Sequence, residues 1–561
     1  MKFTYTWLLE HLETTATPQV IAEKLTDLGL ELESFVDLGA TYAPFLVAEI
    51  VEATQHPNAD KLRVCKVNNG TEILQIVCGA PNARAGIKVC LAPIGANIPN
   101  GNFAIKKSKI RDVESCGMLC SAEELNLGGA TDGIMELAAN AVVGSKYADY
   151  AGLNDCVYEI AITPNRADCL GVRGVARDLA AAGLGVLKPL NSSTVQYSIK
   201  SPISAKSDSY YIGRYFKGVK NTQSPEWLQS RLKSIGLQPI SALVDITNYF
   251  TFNFGRPLHV YDADKLQGNL RIQDSGAKVK FNALNNKSYE LENDLVIADE
   301  KGAVALAGVI GNVETSVDEN TKNVFLEVAY FEPADVMKAG RKHMIDSDAR
   351  YRFERGIDVG FMEDAANLAT QMIVEICGGA ASELVIAGTK PNVQKEIEFD
   401  FGFIKQYGGV DLPEGKAKEI LQALGFVING NKITTPTWRQ DIEGRADIVE
   451  EVLRVYGLQN IPLTPIAYST PVTNQPNFAR NALINRGLSE VVTYSFGSEK
   501  HNPSGKKLLN PISEELAVMR GSIIPNLIEA AIRNNNRGFK NLGLFEIGPV
   551  FAEQEQLVAQ E

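Results

Sequence analysis

The spacing of hydrophobic and polar positions changes several times along the chain, and each change marks a different kind of element. Near the start, Thr17-Pro18 precedes Val20, Ile21, Leu25 and Leu28, with Gly29 following. A capping residue, a proline in the first turn, an apolar face and a glycine stop predict a short amphipathic helix. From Phe45 the pattern turns into short β-rich runs: FLVAEIVEAT, LRVCKV, EILQIVCG, IKVCLAPIG and FAIKKSKI, separated by turns at Pro57-Asn58, Asn69-Gly70 and Pro99-Asn100-Gly101. Strands at this spacing predict a small closed barrel. Helical spacing returns with Leu170, Val172, Val175, Leu179 and Ala182, so residues 1–40 and 150–195 read as one α+β domain with the barrel (40–150) inserted. The polar stretch 190–209 reads as a linker. Residues 210–390 mix the strands YYIGRYFKGV, KVKFNAL, LVIAD, AVALAGVIG and NVFLEVAYF with a helix over 361–376, where Phe361, Ala365, Leu368, Met372 and Ile376 recur. A smaller α+β unit follows over 391–466, with helix 414–424, strand KITTPTW and a last helix in which Ile448, Val449, Val452, Leu453, Val455 and Tyr456 form the apolar face. That face leaves Asp447, Glu450, Glu451 and Arg454 on the other side.

One stretch is harder to assign to packing alone. In Leu243–Asp264 the polar residues Thr247, Asn248, Asn253 and His259 sit among Phe250, Phe252, Phe254, Leu258 and Tyr261. An apolar wall with a few placed polar groups suits a pocket for a small, partly aromatic ligand. The alternative is a core strand, a loop closed by Gly255-Arg256-Pro257 and a histidine satisfied internally.

Composition narrows the classes. With 561 residues the chain has room for roughly four domains, and 45% apolar and 22% charged residues are ordinary for a globular protein. No run approaches the ~18 apolar residues of a membrane helix, and Glu10, His11 and Glu13 interrupt any export signal, so a cytoplasmic protein is expected. The 8 cysteines show no disulfide-like or paired pattern, and Cys116 and Cys120 lack a second pair of zinc ligands nearby. A net charge of −12 argues against a protein that coats nucleic acid indiscriminately, yet Lys106, Lys107, Lys109 and Arg111 form a local basic patch. They are either an RNA contact or a solvated strand face.

The last helix of the 391–466 unit carries a second candidate. Asp447, Glu450 and Glu451 crowd together at helical spacing, with Asp441 just before. Four carboxylates make a hard-cation site plausible; an acidic face near a helix N-terminus is the simpler reading.

Particular motifs carry a family resemblance. HPNADKLRVCKV (56–67), QIVCGAPN (75–82) and VESCGMLCSAEEL (113–125) look like the OB-fold tRNA-binding barrel appended to several tRNA synthetases. LVDITNYFTFNFGRPLHVYDAD, AGVIGN, FLEVAYFEP and SDARYRFERGID, in this order, resemble the editing domain of the bacterial phenylalanyl-tRNA synthetase beta subunit. Residues 479–496, 508–538 and 542–551 resemble that subunit's class II catalytic-like domain, partial over 470–561. No arginine follows the FEIG strand at Pro549-Val550-Phe551-Ala552-Glu553, so this part is expected to scaffold and not to activate amino acid. The resemblance implies a multidomain α+β chain: inserted OB-fold barrel, mixed α/β B3/B4 editing domain (210–390), small winged-helix-like B5 domain (391–466) and partial synthetase core. It also implies a C-terminally truncated chain, without the family's ferredoxin-like anticodon-binding domain. Gly311-Asn312 stands where the family usually shows a glycine pair.

What the resemblance implies about function is specific. Asp441, Asp447, Glu450 and Glu451 match the family's magnesium pattern position by position. His259, Glu327, Thr247, Asn248, Gly311 and Ala349 would line an editing pocket: Glu327 accepts a tyrosine hydroxyl as an ionised carboxylate, and His259 with Thr247 and Asn248 positions ester and water. The partners would be an alpha subunit, in an α2β2 assembly, and tRNA(Phe), with ATP bound mainly by the alpha subunit and Mg2+ at the acids. Two other readings compete: a non-catalytic RNA-binding assembly protein built on the OB-fold, and a magnesium-dependent hydrolase using the acidic cluster. The latter lacks an adjoining glycine-rich loop or basic residue for phosphate.

Overall fold

A computed structural model describes residues 1–101, 103–128, 133–192, 195–463 and 477–551, and the backbone of 558–560. The chain divides into a unit of residues 1–462 and a second of 463–561.

The predicted N-terminal helix is present as Pro18–Asp27, with the Thr17 hydroxyl accepting from the Val20 amide. It packs on a three-stranded sheet, Lys2–Thr4, Cys156–Ile160 and Leu32–Asp37, whose middle strand comes from beyond the barrel. Helix Val172–Ala181 buries Val172, Val175 and Leu179 in the same core. That core does not stop there. It continues through Ile420, Leu421, Ile448, Val452 and Val455 of helices Glu414–Ala423 and Arg445–Tyr456, so residues 1–30, 158–179 and 399–455 share one apolar interior.

The barrel is built from Leu46–Gln55, Arg63–Asn68, Ile73–Cys78 and Lys88–Ala92, as the alternation requires. The fifth strand departs from expectation. Phe103–Ala104 pairs with Asn97–Ile98, and Ser108–Ile110 folds back on Val113–Ser115 through Arg111 and Asp112, both in the left-handed region. Near-closure comes instead from the next segment: Met118–Leu119 pairs with Lys88–Ala92 and the Cys116 amide donates to Gln75 O. Its apolar Met118 and Leu119 find a core, which the lysine-rich run cannot fill.

Between 195 and 390 two sheets face each other. One runs His259–Asp262, Asn323–Ala329, Tyr211–Lys217, Ala380–Ala387, all antiparallel. The other is Ala205–Lys206, Leu270–Asp274, Leu295–Ala298, Ala303–Leu306 and Ile310–Gly311. The expected linker 190–209 therefore contributes a strand, and Ile199 bridges Ser382; Ser193 and Thr194 lie outside the described residues. Helices Ala242–Phe254 and Met362–Cys377 cover the outer face of the first sheet through Leu243, Ile246, Phe250, Ala365, Ala369 and Ile373.

In the second unit, Ser489–Glu490 runs parallel to Leu544–Phe545, and Val518–Met519 lies between Phe496–Gly497 and Lys506–Lys507. Buried Arg520 pairs with Glu546 at 2.7 Å. Helix Ile524–Asn536 leaves Ile524, Ile528 and Ile532 exposed. Ala552 and Glu553 lie outside the described residues.

Candidate functional site

Leu243–Phe254 is helical, not a core strand. Leu243, Ile246 and Phe250 recur at helical spacing, and the Thr247 and Thr251 hydroxyls bond back to Val244 O and Thr247 O. Gly255, at φ 65°, ends the helix and turns the chain into strand His259–Asp262. Asn253 proves structural: its amide oxygen accepts from Trp7 Nε1 at 2.8 Å and lies 2.6 Å from His11 Nε2, tying this helix to Tyr5–His11.

The strand then sorts its residues by period two. Val260 faces the helices with Leu326, whereas Tyr261 faces the second sheet with Phe325. His259 stands on the Tyr261 side, directly opposite Glu327, and Glu327 is opposite Gly213 on its other flank. Gly311 comes across from the second sheet so closely that a methyl group there would sit 2.6 Å from His259 Cε1 and 3.1 Å from Leu284. Ser347, capping helix Asp348–Phe353, donates to Val309 O at 2.7 Å and brings half-buried Ala349 against the core that holds Ile310. His259, Gly311, Glu327 and Ala349 are therefore gathered on one side. Thr247 and Asn248 are not: they belong to the helix on the opposite face of the sheet, and Thr247 Oγ1 already has a backbone acceptor. The expectation that these two join His259 at the ester is corrected.

The electrostatics of these residues follow from their burial. Burial pushes the Glu327 carboxyl up to about 7, although the Tyr261 hydroxyl, donating at 2.6 Å, and nearby Arg256 oppose it. From sequence this carboxylate is taken as ionised; the residue titrates near neutrality, with one oxygen engaged by Tyr261. Burial pushes His259 down to about 4, leaving a neutral imidazole at pH 7 whose Nε2 has no hydrogen-bond partner. Tyr211 Oη and Arg256 Nε and Nη1 are also buried without partners. Such groups each cost about 1–3 kcal/mol unless a ligand or water satisfies them. From sequence, Tyr261 belongs to the apolar wall without a role for its hydroxyl, Arg256 is only part of a closing loop, and Tyr211 is not singled out.

The four acids do not converge. Asp441 is held by Arg439 at 2.8 and 2.7 Å, and buried Glu451 lies between Arg439 and Arg454. Asp447 accepts from the Glu443 and Gly444 amides, both at 2.8 Å, and so caps its own helix; Glu450 is exposed. Among the described residues no three of these acids bring ligand atoms together; the one such group is Asp168, Cys169 and Asp178, which Arg166 and Arg454 neutralise. The donor set of this chain does not fit a four-carboxylate magnesium site. The expected polar face is corrected too, because Glu451 and Arg454 are buried against Asp178 of helix Val172–Ala181.

The basic patch is exposed on the barrel. Lys107 is engaged with Glu114 at 3.2 Å, and Arg111 Nη1 donates to Asn58 O, while Lys106 and Lys109 project on the same segment.

Comparison with known proteins places these features in sequence families. Residues 45–146 match a tRNA binding domain, 207–378 the B3/4 domain, 397–458 the tRNA synthetase B5 domain, and 458–561 the phenylalanyl tRNA synthetase beta chain CLM domain. The phenylalanine-tRNA ligase beta subunit of Paramagnetospirillum magneticum is 47% identical over all of this chain and 74% of its own length. That of Rhodospirillum rubrum is 48% identical over 98% of this chain and 72% of its own. The chain belongs to the phenylalanine-tRNA ligase beta subunit family. A solved N-terminal fragment of the phenylalanyl-tRNA synthetase beta subunit from Pyrococcus horikoshii is 18% identical, covering 54% of this chain and 88% of that one, with a TM-score of 0.29. Within the beta subunit family frame, the gathered residues His259, Gly311, Glu327 and Ala349 lie in the B3/4 match and the arginine-bound acids in the B5 match. Among the described residues no helix is long and apolar enough to cross a membrane.

Proposed function

We propose that this chain serves as the beta subunit of a cytoplasmic α2β2 phenylalanine-tRNA ligase. Its barrel contacts tRNA(Phe), and its 210–390 part hydrolyses tyrosine wrongly attached to that tRNA. On this reading the alpha subunit activates phenylalanine and binds ATP with the Mg2+ that accompanies its phosphates. The domain divisions are those expected from the sequence, with 1–40 and 150–195 around the barrel, then 210–390, 391–466 and 470–561.

The need for a second site follows from selectivity. A pocket shaped for an apolar ring rejects an isostere bearing one extra hydroxyl by only about 100-fold. A hydrolytic site must recognise that hydroxyl positively. The observation that carries the reading is the row of half-buried His259 and buried Glu327 and Gly213, with Gly311 against the imidazole. Glu327 receives the phenol, Gly311 and Ala349 leave room beside the ring, and neutral His259, with a free ring nitrogen, orients the ester or the attacking water. Orientation suffices for an activated ester. The test is deacylation of Tyr-tRNA(Phe) by assembled enzyme bearing His259→Ala or Glu327→Ala. Wild-type rates in both, with folding intact, would move hydrolysis elsewhere.

A further inference from the structure

Arg256 has no part in that reading, yet it is one of the largest fully buried side chains, with 1% exposure. It sits in the turn Gly255-Arg256-Pro257 between the covering helix and the His259 strand. One nitrogen, Nη2, donates to Ala329 O, two residues along the strand from Glu327. Nε and Nη1 have no partner. A guanidinium remains charged at neutral pH even when burial depresses it. Its charged neighbours are Asp358 and Glu327. Asp358 is already engaged, accepting from Thr437 Oγ1 at 2.6 Å and from the Gly360 amide at 2.8 Å. Among the described residues no other cation bears on Glu327; its remaining polar neighbours are the neutral Tyr261, Tyr211 and His259.

We propose that Arg256 is a positioning residue that holds the Glu327 carboxylate charged inside its apolar pocket, so that the site accepts a phenol and refuses an unsubstituted phenyl ring. The inference rests on the editing reading above. Tyr261 satisfies one oxygen of the charged carboxylate, but a phenyl ring leaves the other buried without a donor, and its desolvation opposes entry of the cognate phenylalanyl ester. A phenol satisfies it with a charge-assisted bond. A protonated Glu327 loses most of this contrast. Discrimination between Tyr-tRNA and Phe-tRNA hydrolysis thus depends on the ionisation of one carboxyl, and Arg256 sets where that ionisation falls.

The experiment measures hydrolysis of Tyr-tRNA(Phe) and Phe-tRNA(Phe) by assembled enzyme from pH 6 to 8.5. It takes the ratio of the two rates, which cancels the general hydroxide dependence of ester hydrolysis. Wild type is expected to gain discrimination with a midpoint near neutrality, and Glu327→Gln to give a flat, low ratio. Arg256→Gln is expected to move the midpoint up by about one pH unit or more, with Arg256→Lys restoring part of the shift. Assembly is checked by gel filtration with the alpha subunit. An unmoved midpoint in assembled Arg256→Gln overturns the inference. So does a flat wild-type ratio, which needs no variant to fold. Absence of Tyr-tRNA hydrolysis in wild type would instead sink the editing reading itself.

Discussion

His259 and Glu327 are direct cross-strand partners on the buried face of one antiparallel pair, the imidazole neutral and the carboxyl titrating near neutrality. The imidazole is confined from the other sheet, because Gly311 closes on it. Gly311→Ala should therefore displace His259 without altering any charge. Misplacement by about 1 Å can cost on the order of 100-fold. Tyr-tRNA deacylation is expected to fall by roughly 10- to 100-fold, and a crystal structure of the variant should show the imidazole rotated away from Glu327. Wild-type hydrolysis in this variant would mean that His259 need not hold its place.

The sequence exposed most elements and half of this site. Strong periodicity identified helices Pro18–Asp27, Glu414–Ala423, Arg445–Tyr456 and Met362–Cys377. His259 stood out as a polar residue among apolar neighbours, whereas Gly311, Glu327 and Ala349 were legible only through the family motifs. Thr247 and Asn248 sit in a stretch whose polar and apolar residues follow no clear period, which conceals which way each faces. The acids misled for a different reason. Carboxylates at helical spacing look alike whether they face a cation or an arginine, and Arg439 and Arg454 were too ordinary to be read as partners. Pairing between Asp178 and Arg454, far apart in sequence, leaves no local signal.

The barrel patch contains fewer free cations than its composition suggests, since Lys107 is engaged with Glu114. Exposed pairs of this kind are worth at most about 1 kcal/mol, so tRNA phosphate can displace the glutamate. Replacing Lys106, Lys107, Lys109 and Arg111 by Glu is expected to weaken tRNA binding and lower the slope of log affinity against log salt by roughly two to four. Glu114→Gln should tighten binding a few-fold. Filter binding at several salt concentrations decides; an unchanged slope marks the patch as solvated surface.

Asp447 closes its own helix N-terminus through the Glu443 and Gly444 amides. Asp447→Ala is expected to destabilise the chain by about 1 kcal/mol, the usual scale of a lost cap. Millimolar Mg2+ should leave the urea midpoint of both proteins where it was. A magnesium-dependent rise in wild type alone would restore the acids as a cation site.

Arg454 joins two carboxylates that no local pattern connects: Asp178 at 2.7 Å on helix Val172–Ala181 and Glu451 at 2.6 Å on its own helix. Arg166 holds Asp178 from the other side at 2.7 Å, and Arg439 holds Glu451. All are buried, so removing one member strands an unpaired ion, at about 3–5 kcal/mol. Asp178→Ala should destabilise the 1–462 unit on that scale, and a cycle with Arg454→Ala should show coupling of about 0.5–3 kcal/mol. Acid provides an independent readout. Burial alone would raise the Glu451 carboxyl, but Arg454 and Arg439 outweigh it and hold it at about 2 against an ordinary 4.5. Its folded value is depressed, so its stabilisation is complete above pH 4.5 and disappears as pH falls toward 2. Arg439→Met removes one of the two cations, raises the folded value and should shift the onset of acid unfolding upward. Urea melts between pH 2 and 5 would show it, and an onset unmoved by Arg439→Met would mean that Glu451 does not govern acid stability.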